Sequence, residues 1–163
     1  MFAVKRILVP VDYSDVSSAA LSAAIQLADR HDAKIFVLHV QKDLDKALQR
    51  RIVTNPNESL LEKGIASDEM EIMKAVELEY QRAETEGKFL KHVEIEAHVS
   101  GGEWTEVILQ MIADEEIDLV ICGTHGPKGL KGLFLGTTAD QLVAKASCSV
   151  WVVKPTGYPY LRD

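Results

Sequence analysis

The sequence predicts an α/β fold: one domain built on an open, mostly parallel sheet of five strands, with helices on both faces of the sheet. Short apolar segments alternate along the chain with segments whose apolar residues recur at helical spacing, which is typical of parallel sheets. Three of the apolar segments are continuous, as expected for strands covered on both faces. The length of 163 residues suits a single core. We place that domain at residues 1–155 and a tail at 156–163.

The first half of the chain contains two of the predicted strands, at residues 7–11 and 35–40. Between them, residues 17–30 place leucine, isoleucine and alanine side chains on one face of a helix. Residues 41–64 are mixed in composition, and we expect a short helix and an irregular, variable connection there. The acidic segment 67–86 has apolar residues at helical spacing and predicts a second long helix.

The second half of the chain contains the other three predicted strands. Residues 93–99 alternate apolar and polar side chains, so we expect one face of this strand to meet water. The pair Gly101–Gly102 then turns the chain into a third helix. The last two strands are predicted at 119–122 and 150–153, with a helix at 137–146 between them.

Composition narrows the classes of function. The net charge of −7 argues against non-specific binding to nucleic acid and to anionic membranes, because both need clustered Lys and Arg. No apolar run approaches the roughly 20 residues of a membrane helix, and the amino-terminal apolar stretch is too short for a signal peptide. Two cysteines, Cys122 and Cys148, do not make a disulfide framework. We therefore expect a cytoplasmic protein with free thiols.

A candidate ligand site lies where the first and fourth strands end. In open parallel sheets, ligands bind beyond the carboxyl ends of the strands, where the strand order reverses. Asp12 follows the first strand and Gly123 ends the fourth, and residues 123–136 hold five of the ten glycines. Glycines allow close backbone approach, and the helix that begins near Thr137 offers free amides to an anion. These residues favour a phosphate-bearing small molecule over a flexible connection, although neither a P-loop nor a dinucleotide fingerprint is present.

Three segments carry a resemblance to a known family. "KRILVPVDYSD", "IFVLHV" and "DLVICGTHGPKGLKGLFLGTTADQLVAKASCSVWVVKP" resemble the first strand, the second strand and the carboxyl-terminal third of the universal stress protein family. The ATP-binding members of that family carry Gly-x-x-Gly, nine residues, then Gly-[Ser/Thr]. This sequence matches the motif in full at Gly123, Gly126, Gly136 and Thr137.

The resemblance implies a Rossmann-like sheet of the adenine nucleotide alpha hydrolase type, with strand order 3-2-1-4-5. It implies a site for ATP, or for AMP or ADP, with Mg²⁺ or Mn²⁺ bridging the phosphates and few direct protein ligands. The cofactor-binding residues it implies are Pro10, Val11, Asp12, Val40, Gly123, His125, Gly126, Gly136, Thr137 and Thr138. Relatives also commonly dimerise along the last strand, so it implies a homodimer through residues 150–153.

Some residues have a simpler interpretation beside the functional one. Asp12 is also suited to capping the turn that follows it. His125 is a phosphate contact or a partner of its own loop, and His39 is interpreted as a satisfied core residue. His31, His92 and His98 show no metal spacing, and we expect them on the surface. The sequence also departs from many relatives at Glu103 and Trp104, where they have Pro and Ala, so Trp104 is placed to shape the adenosine side.

Three functions from different classes follow. The first is a nucleotide-dependent regulatory protein that binds ATP as a dimer. The second is a slow ATP hydrolase, although no carboxylate, histidine pair or arginine is placed to orient a water molecule, and we assign no catalytic residue. The third is a nucleotide-free dimeric interaction module, which the intact glycine motif argues against.

Overall fold

The computed structural model describes residues 3–42, 50–53, 67–88, 93–124 and 137–154. Within these ranges the chain forms six strands and four helices. In chain order the elements are β1 Arg6–Val11, α1 Asp15–His31, β2 Lys34–Gln41, β3 Arg50–Val53, α2 Ser67–Thr85, β4 Ile95–Gly101, α3 Trp104–Asp114, β5 Leu119–Gly123, α4 Thr137–Lys145 and β6 Ser149–Val153. None of the described helices is both long and apolar enough to span a membrane.

The sheet confirms the predicted parallel core. Its strand order is β3-β4-β2-β1-β5-β6, and every neighbouring pair except β3 with β4 is parallel. The five parallel strands therefore have the expected order 3-2-1-4-5. The order reverses at β1, which lies between β2 on one side and β5 on the other.

The two faces of the sheet are covered by different helices. Successive side chains of a strand point to opposite faces, so Ile7 and Val9 of β1 pack on one side and Leu8 packs on the other. The Ile7 face is covered by α1 and α2, and the Leu8 face by α3 and α4. Buried side chains fill both layers, which explains why the central strands are apolar throughout.

The strand β3 corrects one prediction. We expected a short helix within residues 41–64, and a sheet whose third predicted strand formed an edge. Instead Arg50–Val53 pairs antiparallel with that strand, now β4, with Arg50 opposite Val99. The edge of β4 would otherwise expose unpaired backbone groups, and β3 satisfies them. The neighbouring residues 43–49 and 54–66 lie outside the described ranges.

The polar positions of β4 correct a second prediction. The alternation of residues 93–99 led us to expect that one face meets water, yet Glu96 is completely buried. Lys34 Nζ lies 2.7 Å from Glu96 Oε2, and His98 Nε2 lies 3.0 Å from Glu96 Oε1. His98, expected on the surface, keeps only 15% of its side chain exposed. Of the charged side chains in this alternation, Glu94 is 61% exposed, whereas the Glu96 charge is paired inside the protein.

Candidate functional site

The ladder between β1 and β5 ends before the carboxyl edge of the sheet, and we call the region between Pro10–Asp12 and Ile121–Thr124 the crevice. The two strands pair in register at only two positions, Ile7 with Leu119 and Leu8 with Val120, although both strands continue beyond them. On the other side of β1, the pairing with β2 continues to Val11. The ladder therefore ends where the strand order reverses, which is the usual ligand position in open α/β sheets.

Pro10 gives a physical reason for the end of this ladder. The Asp118 N–H donates to Arg6 O, so the backbone groups of Arg6, and of every second residue after it, face β5. Pro10 is one of those residues and has no N–H to donate. The ladder between β1 and β5 thus loses a donor at the level where it ends. Pro10 was predicted as a cofactor-binding residue, and in the structure it borders the crevice.

Asp12 stands at the end of β1 and orders the turn into α1. Its Oδ1 accepts hydrogen bonds from Ser14 N (3.0 Å) and from Ser14 Oγ (2.6 Å). Ser14 in turn caps α1 by accepting from Ser17 N. Between them Tyr13 has a left-handed φ of 62°, which is rare outside glycine. The structure therefore shows the turn-capping role of Asp12 and places the carboxylate at the crevice.

Gly123 lets helix α1 approach β5 closely. A Cβ at this position would lie 2.6 Å from Val16 Cγ1 and 3.2 Å from the Val16 backbone carbonyl carbon. No real Cβ tolerates the shorter distance, and the longer one involves backbone that cannot rotate away. Packing against the first turn of α1 is thus sufficient to require glycine here. This role was not predicted, because the sequence suggested only a close approach to a ligand.

Thr124 is a site residue that sequence reasoning missed. Its side chain is 2% exposed, and its Oγ1 has no hydrogen-bond partner among the described residues. Its backbone N–H donates to Val153 O, which fixes the residue beside the end of β6. A buried hydroxyl without a partner costs free energy unless a ligand or water satisfies it. Its position inside the Gly-x-x-Gly motif was the available signal.

The amino end of α4 completes the described part of the site. The helix begins at Thr137, which is exposed, and Thr138 is half-buried. Amides in the first turn of a helix lack intrahelical acceptors and favour anions. His125, Gly126 and Gly136 lie outside the described residues, so their predicted contacts stay predictions.

Aromatic side chains lie at the carboxyl edge of the sheet beside the end of β2, near Val40. His39 is half-buried, and its Nδ1 lies 3.0 Å from Val11 O. Because a carbonyl oxygen only accepts, Nδ1 carries the proton and donates. The His39 ring lies 4.6 Å from the Tyr13 ring and 6.1 Å, edge-on, from Trp104. His39 is thus hydrogen-bonded within the fold and Trp104 lies edge-on to it, while the expected role of Trp104 at the adenosine side stays a prediction.

The described residues offer little nucleophilic or metal chemistry. Cys122 is buried on β5, and burial raises the pKa of its thiol to about 11, so it stays protonated at neutral pH. Cys122 and Cys148 are both free thiols. No group of three or more His, Cys, Asp or Glu side chains suited to a metal occurs within the described ranges.

The fold and the crevice define the class: an open α/β sheet with a candidate ligand site at its switch point. Within that class the chain belongs to the universal stress protein family, whose profile matches residues 3–154. A universal stress protein of Methanocaldococcus jannaschii is 29% identical over 150 residues, which cover 92% of this chain and 82% of that protein.

Solved structures of this family share the fold. The universal stress protein UspA from Lactobacillus plantarum is 25% identical and has a TM-score of 0.62, covering 93% of this chain and 98% of its own. A universal stress protein family protein from Arabidopsis thaliana, solved with AMP bound, is 18% identical with a TM-score of 0.54. That comparison covers 94% of this chain and 93% of the Arabidopsis chain, and at this identity it shows the fold alone.

Proposed function

We propose that this protein binds an adenine nucleotide at the carboxyl edge of its sheet and acts as a nucleotide-dependent regulatory protein of the stress response. ATP is the expected resident ligand, with AMP and ADP as the alternatives. The protein acts as a homodimer, and nucleotide occupancy is its signal. A divalent cation, Mg²⁺ or Mn²⁺, would offset the charge of the bound phosphates.

The crevice between β1 and β5 is the observation that supports the proposal most directly. One wall ends in the Asp12 carboxylate and the other in the buried Thr124 hydroxyl that lacks a described partner. A carboxylate accepts hydrogen bonds from ribose hydroxyls, and a threonine hydroxyl donates to phosphate oxygens. A nucleotide offers both groups within one molecule.

The glycine motif supports the phosphate end of the proposal. Gly126, Gly136 and Thr137 have the spacing of the ATP-binding members of the family, and α4 begins at Thr137. A phosphate beside the first turn of α4 would receive hydrogen bonds from free amides and from the Thr137 hydroxyl. At the base end, the backbone of Val40 would hold adenine.

Ligand release tests the proposal. We expect protein purified without added nucleotide, or supplied with ATP, to yield an adenine nucleotide on denaturation, identified by ultraviolet absorbance and mass. Gly126→Val and Gly136→Val should abolish binding while circular dichroism shows an intact fold, because the side chains fill the phosphate cradle. Gly129→Val is the matched control, since Gly129 lies in the nine-residue gap and should keep binding.

An empty site with no measurable affinity for ATP, ADP or AMP would overturn the proposal and favour a nucleotide-free interaction module. Phosphate release separates the regulatory protein from the slow hydrolase. Under the proposal, release stays far below enzyme-like rates of roughly 1 per second. Sustained release that is lost in His125→Ala would favour the hydrolase instead.

A further inference from the structure

Ser14 joins helix α1 to the Asp12 carboxylate through a hydroxyl that has two fixed partners. The Ser17 N–H donates to Ser14 Oγ at 3.3 Å, which caps α1. Because a backbone N–H only donates, the single proton of the hydroxyl is left for Asp12, whose Oδ1 lies 2.6 Å from Ser14 Oγ. Such a short distance is typical of a hydroxyl that donates to a carboxylate, a bond roughly twice as strong as a neutral one. Capping alone does not need this second bond.

The first turn of α1 fixes the backbone of Ser14. Ser14 O accepts from Ser18 N at 3.0 Å and from Ser17 Oγ at 2.9 Å. The Ser14 N–H donates to Asp12 Oδ1, also at 3.0 Å. Asp12 Oδ1 therefore receives two hydrogen bonds from a residue whose position the helix determines.

Tyr13, between these two residues, is held by the sheet. Its φ of 62° is left-handed, which costs a non-glycine residue free energy and persists only where the surroundings fix it. The Tyr13 ring lies 4.6 Å from the ring of His39, and His39 Nδ1 lies 3.0 Å from Val11 O. The turn that carries Asp12 is thus fixed by β2 as well as by α1.

The second carboxylate oxygen of Asp12 is the one left for a ligand. Asp12 is half-buried, and its Oδ2 receives no hydrogen bond from a residue in the described ranges. With the backbone and Oδ1 both fixed, the side chain has little freedom to move Oδ2. A group fixed in this way loses little conformational freedom when a ligand binds, which favours affinity.

We propose that Ser14 is a positioning residue of the nucleotide site: it holds Asp12 so that Oδ2 accepts hydrogen bonds from the ribose hydroxyls. Ser14 thereby sets the preference of the site for ribose over a sugar that lacks these hydroxyls. The inference rests on the proposed function, which takes the Asp12 carboxylate to meet the ribose. Ser14 acts through Asp12 and takes part in no reaction.

The test compares ATP with 2′,3′-dideoxy-ATP, which lacks both ribose hydroxyls, by calorimetric titration of the full chain. The wild-type protein should bind ATP about 10-fold more tightly, which corresponds to about 1.4 kcal/mol and to one hydrogen bond to a charged group. Ser14→Asp keeps a capping oxygen for α1 but has no proton for Asp12, so the preference should fall below about 3-fold. Repulsion between the new charge and the phosphates acts on both nucleotides and leaves their ratio unchanged.

Two further variants control for capping and for folding. Ser14→Thr keeps the donor and the capping oxygen, so its preference should stay within about 2-fold of the wild-type value. Asp12→Asn should remove the preference, since Ser14 holds the amide oxygen and the NH2 group, which only donates, takes the place of Oδ2. Adding Ser14→Ala to Asp12→Asn should then change the ratio no further. Circular dichroism checks that each variant is folded.

The outcomes separate positioning from capping. A Ser14→Asp protein with the full preference for ATP would show that Ser14 only caps α1, and the inference would be wrong. If the wild-type protein binds ATP and the dideoxy analogue equally well, the inference is wrong while nucleotide binding stands. A wild-type protein that binds neither nucleotide would overturn the proposed function and this inference together.

Discussion

Gly123 shows how one residue sets the distance between a helix and the strand beneath it. Gly123→Ala would place a methyl group 2.6 Å from Val16 Cγ1, so α1 must shift or β5 must bend. We expect the free energy of unfolding to fall by about 1–3 kcal/mol, the usual cost of overpacking. Urea denaturation followed by circular dichroism measures the change. ATP affinity should fall too, since α1 follows the Asp12 turn.

A second variant isolates the contact. Val16→Ala removes Cγ1, so the nearest remaining contact of the new methyl group would be the Val16 Cβ at 3.1 Å. The double variant Gly123→Ala with Val16→Ala should therefore recover much of the lost stability, beyond the sum of the single changes. A Gly123→Ala protein as stable as the wild type would show that this approach does not need glycine.

Strand β4 shows how an element can carry charges without facing water. Lys34→Met leaves the buried Glu96 carboxylate without its 2.7 Å partner. We expect a loss of about 2 kcal/mol at neutral pH, below the range for fully buried pairs because the Lys34 side chain is 26% exposed. The double variant Lys34→Met with Glu96→Gln should recover about half of the lost stability, since the neutral Gln side chain needs no counter-charge. Thermal and urea unfolding measure both variants.

The exposed pair Lys74–Glu71 provides the control. Its atoms are 3.8 Å apart on the surface of α2, and Lys74→Met should change stability by less than about 0.5 kcal/mol.

The pH dependence of the stabilisation from the Lys34–Glu96 pair has a definite sign. Burial lowers the pKa of Lys34, but hydrogen bonds to Glu96 and Glu94 outweigh it and raise the pKa above 10.5. The stabilisation is therefore complete below pH 10.5 and is lost as the pH rises through the folded-state pKa. Equal losses in both lysine variants would contradict the pairing.

The elements differ in how far the sequence could predict them. The parallel strands and all four helices were predicted because each has a continuous or periodic apolar pattern, which depends on local sequence. The edge strand β3 was missed, since four residues in a mixed segment form a strand only when β4 supplies hydrogen-bond partners. Asp12 and Gly123 were found through their position after strands. Thr124 was missed, because its position inside the Gly-x-x-Gly motif does not show that its hydroxyl is buried without a partner among the described residues.

At the scale of the whole molecule, the two edges of the sheet differ. At one edge the short antiparallel strand β3 covers β4, whereas β6 forms the other edge with Trp151 45% exposed. The Ser149 N–H donates to Asp118 O, and Val153 O accepts from Thr124 N–H. These residues face β5, so the alternate residues Val150 and Val152 direct their N–H groups away from the sheet. An apolar edge whose outward N–H groups have no partner within the described sheet invites pairing with a second copy.

The direction of these N–H groups gives a selective test of the proposed homodimer. Val152→Pro removes an N–H that the monomer does not use within the sheet, so we expect a folded monomer by light scattering. Val152→Ala removes more side-chain atoms than Val152→Pro does but keeps the backbone N–H, so this control should remain a dimer. The Val153 N–H faces β5, so Val153→Pro removes a donor within the sheet and should lower the melting temperature, in addition to any loss of the dimer. A Val152→Pro protein that stays dimeric would exclude pairing through β6, because a continuous ladder between copies cannot form around proline.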